Sequence, residues 1–129
     1  MFDRVDPRSP IPLYEQIAAR IRVAVAAGEL VPDQALPSVR QLAGTLRINP
    51  ATVVQAYRTL EAEGFVARRH GAGTFVEGVP EARKRTERIK YAEQLVRDML
   101  AEAARLGVNG QDIQEVLEQQ LNNKKANDD

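Results

Sequence analysis

Cysteine and tryptophan are absent from the chain, and aromatic residues supply only 5% of its 129 positions. Without cysteine there is neither a disulfide framework nor a thiolate zinc site. So few aromatics leave a core of Leu, Ile, Val and Ala, which favours helices packed on helices. No apolar run approaches the ~20 residues of a membrane span. The opening MFDRVDPRSP carries Asp3 and Asp6 and lacks the apolar stretch of a secretory leader, so the expected compartment is the cytoplasm. His70 is the only histidine, and no nucleophile–base set or GxxxxGK[ST] phosphate loop is present. The expectation is therefore no enzyme, no metal site and no cofactor. Net charge is missing too, because eighteen basic residues balance eighteen acidic ones. Any case for a polyanionic partner must come from where the charges lie.

The length suits one compact domain with an appendage. Residues 1–11 are polar and punctuated by proline, which reads as a loose arm. Pro12 opens a helix expected over Leu13–Ala27, where Leu13, Ile17, Ile21 and Val25 share a face with Ala18 and Ala24. Gly28 stops it. Ser38 and Gln41 form a capping box at the head of a second helix, with Val39, Leu42, Ala43 and Leu46 turned inward. Asn49 and Pro50 open a third helix, whose inner face is Val53, Ala56, Tyr57 and Leu60 and whose end is Gly64. Only Arg47, Ile48 and Asn49 separate the second and third helices. Phe65–Arg69 and Thr74–Val76 flank His70-Gly71-Ala72-Gly73 and read as a hairpin.

Beyond Pro80 the pattern changes. Ile89, Ala92, Val96, Met99, Ala103 and Leu106 alternate by three and four, with Leu95 and Leu100 widening the seam. The Gly107–Gly110 stretch breaks this helix. A second one restarts at Gln111 or Asp112 and carries Ile113, Val116, Leu117 and Leu121, and the final NNKKANDD frays. The seam either folds back on its own subunit or meets a second copy; its small residues suit the second copy better.

Two helices joined by a three-residue turn and followed by a hairpin define the expected fold class: mainly α with a small β-wing. That is a winged helix-turn-helix over residues 1–78, with a two-helix dimerisation tail over residues 79–129. From Pro37 to Val76 five arginines face two glutamates, a local surplus of positive charge that suits phosphate contact. The leading end of the third helix presents Asn49, Ala51, Thr52 and Gln55. Thr52 can meet a phosphate or a thymine methyl, and the Gln55 amide can pair with adenine. Asn49 alone is more simply a cap. Arg40, early in the second helix, can fork onto guanine or phosphate, or form a surface ion pair. Arg58 either reaches the DNA backbone or pairs with Glu61 or Glu63. At the wing, Arg68, Arg69, His70 and Gly71 suit phosphate or minor-groove contact, although a hairpin tip also needs glycine for its turn. The run Arg83, Lys84, Arg85, Arg88 and Lys90 reads as a solvated helix face.

LPSVRQLA, INPATVVQAYRTLE and GF followed by GAGTFV, with PLYEQI ahead of them, resemble the DNA-binding domain of the GntR family of bacterial transcription regulators. The short helical tail is similar to that of the YtrA subfamily. The resemblance implies a homodimeric repressor that binds an inverted repeat in double-stranded DNA. Carried onto this chain, the family's DNA contacts fall at Arg40, Asn49, Thr52, His70 and Gly71. Pro50 stands where many relatives have arginine, so the base code of those branches does not transfer. Dimerisation is expected through the C-terminal helices, with recognition helices about one DNA turn, ~34 Å, apart. So short a tail leaves room for a small-molecule effector only at the dimer seam, and its identity is open. The competing reading is a winged-helix module that docks a protein without reading DNA sequence.

Overall fold

The structure, a computed structural model, describes residues 5–128. In chain order it contains α1 (Leu13–Ala27), α2 (Val39–Leu46), α3 (Pro50–Ala62), β1 (Val66–Arg69), β2 (Gly73–Val76), α4 (Glu81–Arg105) and α5 (Gly110–Asp128). The chain divides into two compact units, one ending at Ile89 and the other beginning at Lys90.

In the first unit α1 packs chiefly on α3, and α2 packs beside them. The periodic faces meet there: Ile17, Ile21 and Val25 of α1, Leu42 and Ala43 of α2, and Val53, Ala56, Tyr57 and Leu60 of α3 are all buried. Val39 and Leu46 lie half-buried against this core. The capping box at the head of α2 is complete: Gln41 N–H donates to Ser38 Oγ (3.1 Å) and Ser38 N–H to Gln41 Oε1 (2.9 Å). At the head of α3, Asn49 Oδ1 accepts from Ala51 N–H at 2.9 Å, and Pro50 takes the first helical position. Arg47, with φ of 57°, turns the chain sharply between the two helices. Gly64, at φ 83°, ends α3 in a backbone region that other residues enter at a cost.

Phe65 lies just ahead of β1 rather than within it. Its side chain is fully buried, and its N–H donates to Leu60 O (2.9 Å) while its carbonyl accepts from Glu77 N–H (2.9 Å). β1 and β2 pair antiparallel, from Val66 opposite Val76 to Arg69 opposite Gly73, so Gly73 joins the ladder. His70, Gly71 and Ala72 form the tip. The 33–36 loop flanks β2 on its other edge: Ala35 bridges Phe75, Asp33 N–H donates to Val76 O (2.8 Å) and Leu36 N–H to Thr74 O (2.9 Å). This third segment supplies the packing that a two-stranded hairpin lacks alone.

The expected loose arm is a correction. Its first four residues lie outside the described residues, but the rest is held by Gln16. Gln16 Oε1 accepts from Asp6 N–H (2.7 Å), and Gln16 Nε2 donates to the carbonyls of Asp6 and Ile11 (2.8 Å each). Val5 packs against the core. A single amide on α1 thus satisfies backbone groups that would otherwise seek water.

The first turns of α4 belong to this unit. Arg83 places its guanidinium 4.3 Å from the Phe65 ring centroid, and Arg88 donates to Ala26 O at 3.2 Å and to Glu81 at 2.9 Å.

In the second unit α5 begins one residue earlier than the sequence suggests. Asn109 is its cap, with Oδ1 accepting from Asp112 N–H at 2.8 Å. The polar end does not unwind: α5 runs helically through Asn122, Lys124 and Ala126 to Asp128, a second correction. Lysine and alanine are good helix formers, so polarity alone does not end a helix. Ala103 is the buried apolar residue of this unit among the described residues, while the larger seam residues are exposed.

Candidate nucleic-acid interface

The capped start of α3 carries Asn49, Ala51 and Gln55 exposed and Thr52 half-buried. The Asn49 side chain is committed to its cap through Oδ1, and its NH2 group is not used by that bond. α3 can present this end because its opposite face, Val53, Ala56, Tyr57 and Leu60, is sealed into the core.

Arg40 stands exposed in the first turn of α2, beside α3. What holds that turn is Tyr57, whose hydroxyl donates to Pro37 O at 2.7 Å. Burial pushes the Tyr57 phenol above its ordinary value, so it stays a neutral donor. Tyr57 therefore joins α3 to the segment just before the Ser38 cap. Reading Tyr57 as a core residue missed this, because periodicity reports the ring and not the hydroxyl.

A cleft of about 690 Å³ opens between the head of α2, α3 and the wing, lined among others by Ser38, Gln41, Val54, Arg58, Arg68 and His70. Arg58 pairs with neither Glu61 nor Glu63. Glu61 lies 3.9 Å from Arg68, a long and exposed contact that contributes little. Glu63 instead grips Arg22 (2.6 and 2.8 Å), which also meets Glu15 at 2.5 Å. Those bonds, with Glu63 the larger cause, raise the Arg22 pKa. They clamp α1 to the far end of α3, away from its leading end. Arg40, Arg47 and Arg58 meet no carboxylate among the described residues.

At the wing, His70 and Gly71 are exposed at the tip, and Gly71 has φ of 74°, as so tight a turn requires. Arg69 behaves differently: its guanidinium lies 4.3 Å from the Phe75 ring centroid and pairs with the Asp33 carboxylate. Asp33 is a residue sequence reasoning did not single out, since it is distant from Arg69 along the chain and only the third segment brings it near.

Arg40, Asn49, Ala51, Thr52, Gln55, His70 and Gly71 thus all lie in exposed or half-exposed positions of the first unit, while Arg69 is engaged by Asp33. Of the α4 cluster, Arg83 and Arg88 turn onto their own unit. Among the described residues no three His, Cys, Asp or Glu side chains gather to hold a metal ion, and no helix is long and apolar enough to cross a membrane.

A helix-turn-helix with a two-stranded wing, built on an aliphatic three-helix core, places this chain among the winged-helix regulators. Residues 13–76 match the family described as bacterial regulatory proteins, gntR family. YtrA, an HTH-type transcriptional repressor of Bacillus subtilis (strain 168), is 42% identical over 73 residues, which is 57% of this chain and 56% of that protein. The chain thus spans little more than half the length of that curated relative. Among solved structures, YtrA from Sulfolobus acidocaldarius, a GntR-family transcription factor, is 33% identical, covers 74% of this chain and 99% of its own, and has a TM-score of 0.58. A GntR family transcriptional regulator from Listeria monocytogenes is 28% identical, covers 89% and 98%, and has a TM-score of 0.66. The chain belongs to the GntR family of bacterial regulatory proteins.

Proposed function

We propose that this protein is a sequence-specific DNA-binding transcriptional regulator, a repressor that acts in the cytoplasm as a homodimer on an inverted repeat. The observation that carries the reading is the exposed leading end of α3, in the same unit as an exposed Arg40 that meets no carboxylate among the described residues. Thr52 and Gln55 enter the major groove and read base edges, while Arg40 holds guanine or phosphate. His70 and Gly71 at the wing tip meet the neighbouring backbone or minor groove. Asn49 and Ala51 complete the helix end, Asn49 through its NH2 group and Ala51 by close apolar approach. The similarity to regulators named as repressors supports the same reading.

Residues 1–78 form the DNA-binding part in this account, and residues 79–129 the dimerisation part. The support is the apolar row left bare on the helices: Ile89, Val96 and Leu100 on α4, and Val116, Leu117 and Leu121 on α5, are all exposed. One copy alone buries little of it, and a second copy of the chain would cover it.

Selection of bound duplexes from a random pool, followed by mobility shift, tests the function. Enrichment of one inverted repeat, with affinity that falls steeply with salt, is the expected outcome. Equal, weak retention of every sequence would leave the protein-docking reading as the better one.

A further inference from the structure

Arg69 does not project from the wing. It stands opposite Gly73 while Ala67 stands opposite Phe75, so Arg69 and Phe75 are diagonal neighbours on one face of the hairpin. The guanidinium crosses the Phe75 ring, 4.3 Å from its centroid, and reaches the Asp33 carboxylate on the segment beyond β2. Asp33 cannot swing away freely. Its N–H donates to Val76 O (2.8 Å), its neighbour Gln34 accepts from Val76 N–H (2.9 Å), and its own φ of 70° fixes a tight corner. Both side chains remain open to solvent, 43% exposed for Arg69 and 78% for Asp33. A phosphate could therefore reach the pair.

We propose that Asp33 is a positioning residue, which holds Arg69 flat on the wing and keeps its charge from sequence-independent phosphate contact. The inference rests on the DNA-binding reading and assigns a restraint within that same surface. A guanidinium already paired with a carboxylate presents little net charge to a phosphate. Exchanging the carboxylate for a phosphate would strand Asp33 beside a polyanion. Arg40 and Arg58 carry no such counter-charge, so contacts nearer the base-reading helix are left at full strength while a wing cation is restrained. The restraint lowers the sequence-independent phosphate term, which supplies essentially all of non-specific binding.

The test uses the full chain as wild type, Asp33→Asn, Arg69→Ala and the double variant, with affinity for a random-sequence duplex measured across salt. Asparagine accepts the left-handed backbone of this corner, and Asp33→Gly is a second carboxylate-free variant that fits it equally. One freed phosphate contact steepens the log–log salt slope by about 0.9. It tightens non-specific binding by up to about 15-fold at 0.05 M salt and about fourfold at 0.2 M. Asp33→Asn and Asp33→Gly are expected to show that gain, and in the Arg69→Ala background the gain should fall below about twofold. Unchanged or weaker binding in Asp33→Asn overturns the proposal, as does an equal gain with and without Arg69, which would mark a plain charge effect. If wild type and variants alike bind no duplex at low salt, it is the DNA-binding reading that fails.

Discussion

Replacing Tyr57 with phenylalanine removes one oxygen and keeps the ring in the core. The hydroxyl donates to Pro37 O at 2.7 Å, and the residue is only 7% exposed. Such a bond contributes about 1 kcal/mol net, and Pro37 is half-buried, so water can partly replace the lost donor. For a cooperative unit of this size that is a fall of about 4–8 °C in melting midpoint. Urea unfolding should show a lower midpoint at unchanged slope, because the surface exposed on unfolding is the same. The loss should also reach the interface: with Pro37 released, Arg40 is less pre-organised, and operator affinity should drop about three- to tenfold. The pH dependence has a definite sign. Burial raises the phenol above its ordinary value of 10.0, so above that pH the unfolded chain releases a proton that the folded chain keeps. Stability therefore falls as pH rises beyond about 10, and the wild-type advantage over Tyr57→Phe should shrink there. A variant as stable as wild type at pH 7 would refute the claim that this bond holds the α2 entry. A loss above about 3 kcal/mol would mean that the ring had repacked.

Ser38→Ala breaks the capping box and should cost about 1 kcal/mol by urea unfolding, with weaker operator binding because Arg40 follows the same turn. Gly64→Ala should cost about 1–2 kcal/mol, since φ is 83° and the added Cβ would meet Arg83 Nη1 at 3.2 Å. Leu95→Lys with Leu121→Lys, at positions 53% and 58% exposed, should leave the melting of the first unit unchanged yet shift sedimentation from dimer to monomer. Unaltered sedimentation would refute dimerisation through these helices.

Local signals alone determined much of this protein. Ser38 with Gln41 and Asn49 with Pro50 settle where α2 and α3 begin, because caps act within one helical turn. The apolar periods of α1, α2 and α3 named most of the buried core faces, with Leu13, Val39 and Leu46 only half-buried at the helix ends, since burying one face is what makes a short helix stable. The outward placement of Asn49, Ala51 and Gln55 was legible as well, because the outward side of a helix follows once its inward side is known.

Tertiary structure decided the rest, and in each case the deciding contact spans a long stretch of chain. Asp33 meets Arg69 only because the 33–36 segment joins the hairpin edge, and Gln16 anchors an arm ten residues upstream. The hydroxyl of Tyr57 finds Pro37 only when α3 lies against the entry to α2. Hydrophobic period reports which face is apolar but is silent about which distant polar group lies beside it. Capping and apolar periodicity are read within one element, whereas pairing of charges and hydroxyls depends on how the elements are brought together.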